Sequence, residues 1–166
     1  MSLMNKLLYF AFGSNLHPLW LKSRTPSAVI LSKECITHFK LDFNKFGLDD
    51  SGKCNIVKTE SANDLVHGVV YQFNADEKDV LDEAERGYSQ EIMQIGEYEN
   101  VLVYVAEETT DNYSSPFSWY QDIVIAGARM HDFSESYIDH IQSFNAISDP
   151  DQARENRLRA IVWPGG

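Results

Sequence analysis

Leu7-Leu8-Tyr9-Phe10-Ala11-Phe12-Gly13-Ser14-Asn15-Leu16 is the stretch from which the rest of the chain can be organised. An unbroken apolar and aromatic run over residues 7–12, without alternation, predicts a buried strand, and Gly13-Ser14-Asn15 stops it at a tight turn. A short helix through Leu19 and Trp20 follows. Two β-type stretches come next, residues 36–43 with Ile36, Phe39, Leu41 and Phe43, and residues 66–73 with Val69, Val70, Tyr71 and Phe73. Both are expected as central strands. Residues 91–95 and 101–106 flank a connection at 96–100, which predicts an antiparallel hairpin. Helices are expected over about 75–85, 117–128 and 134–144, with a last, basic segment carrying Arg154, Arg157 and Arg159. Strands joined by both hairpins and single helices give an α+β fold with a mixed or mainly antiparallel, strongly curved sheet. No repeat or linker divides the chain, so one domain is expected over residues 4–166, with Met1-Ser2-Leu3 set aside as an expression scar.

Composition narrows the function. Among 166 residues, 25 are Asp or Glu and 14 Lys or Arg, for a net charge of −11. That is the wrong sign for binding nucleic acid or coating an anionic bilayer, and no apolar run is long enough to span one. A content of 43% hydrophobic and 12% aromatic residues is too high for a disordered acidic chain. The expected partner is therefore a small molecule, with no nucleic acid and no membrane.

With no signal segment ahead of the first strand, Cys35 and Cys54 are expected as free thiols in a reducing, cytoplasmic setting. Asn112-Tyr113-Ser114 matches a glycosylation acceptor formally and reads as a surface loop. His17, His38, His67, His131 and His140 have no partners at a metal-ligand spacing, so no metal is expected. Phosphate-loop, dinucleotide and nucleophile-elbow patterns are missing, so no cofactor is expected either.

Two places carry candidate chemistry. Backbone N–H groups around Gly13, Ser14 and Asn15 form the kind of concave turn that holds an anion such as a carboxylate, although the same tripeptide serves widely as an ordinary helix cap. The second is the acidic segment Asn74-Ala75-Asp76-Glu77-Lys78-Asp79-Val80-Leu81-Asp82-Glu83-Ala84-Glu85-Arg86-Gly87. Asn74 and Glu77 suggest a capping box, and Gly87 a stop. Val80, Leu81 and Ala84 mark the inward stripe, while Asp76, Glu77, Asp79 and Asp82 read as a solvated face. Glu85, one turn beyond Leu81, falls on the inward side at the negative end of the helix dipole. Burial and dipole together raise its pKa towards what an acid/base group needs.

In order, Tyr9-Phe10-Ala11-Phe12-Gly13-Ser14-Asn15-Leu16, Pro26-Ser27-Ala28, Lys40-Leu41-Asp42-Phe43, Gly68-Val69-Val70-Tyr71, Leu81-Asp82-Glu83-Ala84-Glu85, Tyr88, Ser115-Pro116, Tyr120 and Gly127-Ala128 resemble the γ-glutamylcyclotransferase family over residues 9–128. The resemblance implies a compact, curved, barrel-like sheet with flanking helices and no cofactor. It also implies a reaction: the α-amine of a γ-glutamyl compound attacks its own γ-carbonyl, giving 5-oxoproline and a free amine. On this resemblance Glu85 is the acid/base. Phe12, Gly13, Ser14, Asn15 and Leu16 form the loop that cradles the γ-glutamyl group, and Tyr88 and Tyr120 stand near it. Phe12 replaces a tyrosine usual in the family, and Arg86 a glycine. The leaving group implied is an amino acid or amine; γ-glutamylamines, glutathione and a biosynthetic intermediate are alternatives. A different class of reading is a non-catalytic binding or regulatory module of the same fold.

Overall fold

The structure, a computed structural model, describes residues 5–106, 109 and 115–165. Among them are strands β1 (Lys6–Ala11), β2 (Val29–Thr37), β3 (Phe39–Phe46), β4 (Gly52–Lys58), β5 (Leu65–Asn74), β6 (Tyr88–Ile95) and β7 (Tyr98–Ala106). The helices are α1 (Pro18–Lys22), α2 (Lys78–Ala84), α3 (Ser118–Met130), α4 (Glu135–Gln142) and α5 (Gln152–Val162). A single 3-10 turn, Ser14–Leu16, lies between β1 and α1.

Five strands form one sheet in the order β2-β5-β1-β7-β6. β1 runs antiparallel to β5 and parallel to β7, so the sheet is mixed as the sequence predicts. Tyr9, Phe10 and Ala11 are all buried, which is why β1 reads as a continuous apolar run. The two outer strands meet: β2 packs against β6, and the Glu34 carboxylate reaches the turn at Gly96. This is the expected curvature. α3 packs against the turn after β1 and against α4 and α5, with Trp119, Tyr120, Ile123, Val124 and Ala128 buried. No helix among the described residues is long and apolar enough to cross a membrane.

Several expectations are corrected. Residues 36–43 are not one central strand. His38 takes a left-handed backbone (φ 67°), its N–H donating to Asp64 O (3.0 Å) and its carbonyl accepting from Thr59 N–H (2.7 Å). The chain turns there, so β2 stays on the five-stranded sheet beside β5 while β3 leaves to pair with β4 in a separate two-stranded sheet. β4 itself is not among the predicted strands. In the β6–β7 hairpin, Ile95 already pairs with Tyr98, so the connection is shorter than residues 96–100.

The acidic segment also differs. Its first turn is 3-10 (Ala75–Glu77), α2 follows, and Glu85 is the C-cap residue. The capping box is not formed: the Asn74 side chain accepts from Lys6, and Glu77 accepts from the Ser27 backbone N–H (3.1 Å) and hydroxyl. Val80 and Ala84 are exposed, leaving Leu81 as the buried anchor. Asp82 is not part of a solvated face, because it accepts from the Tyr104 hydroxyl (2.6 Å) and from Lys78 (2.7 Å). Cys35 is exposed and Cys54 buried, both unpaired thiols. The Asn112-Tyr113-Ser114 triplet lies outside the described residues.

Candidate active site

The loop after β1 is fixed from below. Leu16 N–H donates to Gly13 O (3.0 Å) and His17 N–H to Ser14 O (3.1 Å), closing the 3-10 turn. The Leu16 carbonyl accepts from the Tyr71 hydroxyl (2.9 Å) and lies 2.7 Å from His131 Nε2. α3 presses on the same turn at Gly127, where a Cβ would stand 2.7 Å from Leu16 Cβ and 2.8 Å from His17 N. A glycine there lets helix and turn touch. Gly13 has an ordinary negative φ of −119°, so what it supplies is closeness: a Cβ would lie 2.8 Å from Cys54 Cβ on β4. Among the described residues, no hydrogen bond takes up the backbone N–H groups of Gly13, Ser14 or Asn15.

Asn15 joins the loop to the acid. Its Nδ2 donates to Glu85 Oε1 (2.9 Å) and to the Tyr9 hydroxyl (2.9 Å). The residue is buried, yet its Oδ1 has no partner among the described residues. A buried carbonyl oxygen without a donor is unfavourable and suits a ligand N–H. Burial raises the Glu85 pKa above its ordinary value, against the opposing pull of Arg24, the Asn15 amide and Lys45.

Tyrosines line the opposite wall. The Tyr88 hydroxyl donates to Cys54 O (2.7 Å), and the Tyr120 hydroxyl accepts from Cys54 N–H (3.0 Å). One peptide segment of β4 thereby aligns both rings. Burial drives the pKa values of Tyr9, Tyr88 and Tyr120 well up, leaving neutral phenols. The Cys54 thiol is pushed up to about 12, chiefly by burial, so it is no thiolate nucleophile.

Two connected spaces result. An inner chamber of about 30 Å³ is walled by Tyr9, Phe12, Gly13, Asn15, Cys54 and Tyr104; an outer cleft of about 270 Å³ opens beyond it. Ser14, Glu85, Tyr88 and Tyr120 border both. The sequence-derived residues Phe12, Gly13, Ser14, Asn15, Glu85, Tyr88 and Tyr120 are thus brought together. Leu16 is not in either wall; its side chain is fully buried, and it serves the site through its carbonyl. Sequence reasoning missed Tyr104, Arg24 and Lys45. Lys45 carried a readable signal, since it alternates with Leu41 and Phe43 and so shares their inward face. Among the described residues no three His, Cys, Asp or Glu side chains stand together as metal ligands would.

No family model matches the chain. It is 34% identical to the γ-glutamylcyclotransferase of Bos taurus over 137 residues, 74% of this chain and 70% of that protein. With the γ-glutamylcyclotransferase of Mus musculus it shares 30% over 151 residues, 82% of this chain and 77% of that protein. The chain belongs to the γ-glutamylcyclotransferase family. A solved structure described as a γ-glutamyl cyclotransferase has the same fold, with a TM-score of 0.79 over 93% of this chain and 99% of that one at 23% identity.

Within this γ-glutamylcyclotransferase-like framework the two departures fall in different places. Phe12 is 7% exposed and stands in the inner chamber wall. Arg86 lies on the outside, ion-paired with Glu83, and its backbone carbonyl accepts from Lys45 Nζ (3.0 Å). The second departure lies at the rim of the outer cleft.

Proposed function

We propose that this chain is a cyclotransferase that converts the γ-glutamyl group of a small molecule to 5-oxoproline and releases the attached amine. The observation that carries the reading is the Glu85 carboxylate: its pKa is raised by burial, Asn15 orients it, and it stands where the inner chamber opens into the outer cleft. In this reading the unspent N–H groups of Gly13, Ser14 and Asn15 receive the substrate's α-carboxylate, as amides at the start of a helical turn do. Asn15 Oδ1 accepts from the α-ammonium and aims its nitrogen at the γ-carbonyl.

Glu85 takes a proton from that ammonium, and the free amine attacks the γ-carbon. The new C–N bond closes the ring and gives a tetrahedral oxyanion. Glu85 then protonates the departing nitrogen, and the old C–N bond breaks. Over the cycle the attacking nitrogen gives up two protons and the released amine leaves as an ammonium ion, so no water is consumed. Folding the flexible glutamyl chain into a near-attack shape accounts for several kcal/mol of such a barrier, roughly, within the range known for intramolecular reactions. The phenol of Tyr120, neutral by burial and accepting from Cys54 N–H, supplies a hydroxyl proton to the developing charge, while Tyr88, whose proton is spent on Cys54 O, walls the space.

The test is 5-oxoproline formation from a panel of γ-glutamyl compounds, with Glu85→Gln beside the parent. Product from the parent and its loss in the variant supports the reading. Binding without product in the parent would replace it by a non-catalytic binding module.

A further inference from the structure

The turn that carries Gly13, Ser14 and Asn15 is held from behind by groups that the cyclisation does not touch. The Leu16 carbonyl accepts from the Tyr71 hydroxyl of β5 (2.9 Å) and stands 2.7 Å from Nε2 of His131, the residue that caps α3. A carbonyl oxygen can only accept, so Nε2 carries the proton, and the two donors fill both lone pairs of Leu16 O. His131 is itself fixed. It is 8% exposed, its backbone N–H donates to Gly127 O (3.2 Å), and its ring lies 6.2 Å from the Phe133 ring.

From Leu16 the bonding runs on into the site. The peptide unit that has Leu16 O at one end has the His17 N–H at the other, and that N–H donates to Ser14 O (3.1 Å). The unit that begins at Ser14 O ends in the Asn15 N–H, which no described residue takes up. Two peptide planes therefore separate a buried imidazole from an unspent amide of a residue that lines the inner chamber. Asn15 marks the same place independently, being 3% exposed with its Oδ1 unpartnered among the described residues. Polarisation along such a chain strengthens each bond by only about 10–30%, so the larger effect is orientation. Donors arriving from β5 and from α3 pin the Leu16 plane in two directions, and the planes ahead of it follow.

We propose that His131 is a positioning residue for the anion-binding turn: by donating to Leu16 O it holds the Asn15 N–H at the angle that meets the substrate's α-carboxylate. This inference rests on the reading above, in which the turn amides receive that carboxylate, and adds to it a residue that stands in neither cavity wall. The carboxylate is bound before and during the reaction alike. Loosening its donors therefore raises KM and leaves kcat in place.

5-Oxoproline and 2-pyrrolidinone share a lactam ring and differ by the carboxylate alone, so NMR titration of the pair isolates the anion site. The parent protein is expected to bind 5-oxoproline about tenfold or more tightly than 2-pyrrolidinone, as charge-assisted bonds do. His131→Leu deletes the donor and fills its space, and Tyr71 still satisfies Leu16 O, so the fold should persist. In that variant affinity for 5-oxoproline should fall about three- to tenfold, the effect of one hydrogen bond, with that for 2-pyrrolidinone unchanged. The Asn15 amide proton should move upfield, and KM for γ-glutamylalanine should rise with kcat nearly constant. His131→Gln, whose amide nitrogen reaches about as far as Nε2, should recover most of the loss. Should His131→Leu fail to fold, His131→Phe, a ring without a donor, is read in the same way. A parent without preference for 5-oxoproline, an equal loss for both lactams, or no recovery in His131→Gln overturns the proposal. If γ-glutamyl compounds yield no 5-oxoproline, the cyclotransferase reading fails, and the lactam titration still decides the role of His131.

Discussion

Asn15 and Glu85, 70 positions apart in the chain, share a 2.9 Å hydrogen bond that ties the loop after β1 to the C-terminal cap of α2. The same Asn15 amide nitrogen reaches Tyr9, so a single side chain joins Glu85, a buried phenol and the turn after β1.

Glu85→Gln keeps shape and hydrogen-bonding capacity but cannot shuttle a proton. Turnover to 5-oxoproline should fall by about two to four orders of magnitude while ligand binding persists. Glu83→Gln, at an exposed surface ion pair, is the control and should leave turnover nearly unchanged. The reverse pattern would place the acid/base elsewhere on the helix.

Asn15→Ala tests the pH dependence. The Asn15 amide lowers the Glu85 pKa by bonding its ionised form, so removing it lets that pKa rise further. The ionised carboxylate is the form that accepts the first proton, and the acidic limb of the kcat/KM profile should therefore move to higher pH. A limb that stays put or moves down would show that Asn15 does not act on Glu85.

Gly127→Val should lower both stability and activity. Its side chain would be driven into Leu16 Cβ and the His17 backbone, costing about 1–3 kcal/mol as overpacking does and displacing the turn that bears Asn15. Thermal unfolding and 5-oxoproline assays read the two effects separately. An unchanged Tm would mean the helix shifts freely away from the turn.

Asp149 links stability to acid. Its buried carboxylate accepts from Arg154 Nε (2.8 Å) and Nη2 (2.5 Å) and from Trp119 Nε1 (3.0 Å), holding α5 and α3 together behind the outer cleft. These donors depress its pKa, most of all Arg154. A depressed folded-state pKa contributes stability above the unfolded value of about 3.9, and that contribution fades as pH falls below it. Asp149→Asn should lower Tm near neutral pH, with the gap to the parent closing under strong acid. A gap constant across pH would assign the loss to packing alone.

The sequence was most readable where burial is uniform. β1 and β5 carry consecutive buried apolar residues, as does β7 after the turn at Gly96, so composition marks them, whereas mostly exposed β6 was readable only as the other arm of that turn. β4 was hidden because Gly52, Lys53, Cys54, Asn55, Ile56, Val57 and Lys58 mix polar and apolar residues; Asn55 is buried there, its Oδ1 accepting from Ala106 N–H (2.9 Å). The break at His38 was hidden for a different reason: a single left-handed residue leaves no trace in hydrophobic pattern. In the site, Glu85 was legible from its spacing of four from Leu81, and it stands on that buried side as the C-cap residue of α2, although Ala84, equally one turn from Leu81, is exposed. Arg24 was not, since its place beside Glu85 depends on how α1 packs after the turn rather than on any local periodicity.

Cys54 also separates what a position does from what its side chain is. Tyr88 and Tyr120 are both held by its main chain, while its thiol lies against Gly13 and the Tyr120 side chain. Relatives can therefore exchange this residue for another small one without losing the clamp. A comparison that scores side-chain identity would register divergence at the point where the architecture is preserved, and a thiol-directed inhibitor would have little to grip in a cavity whose organisation is written in peptide bonds.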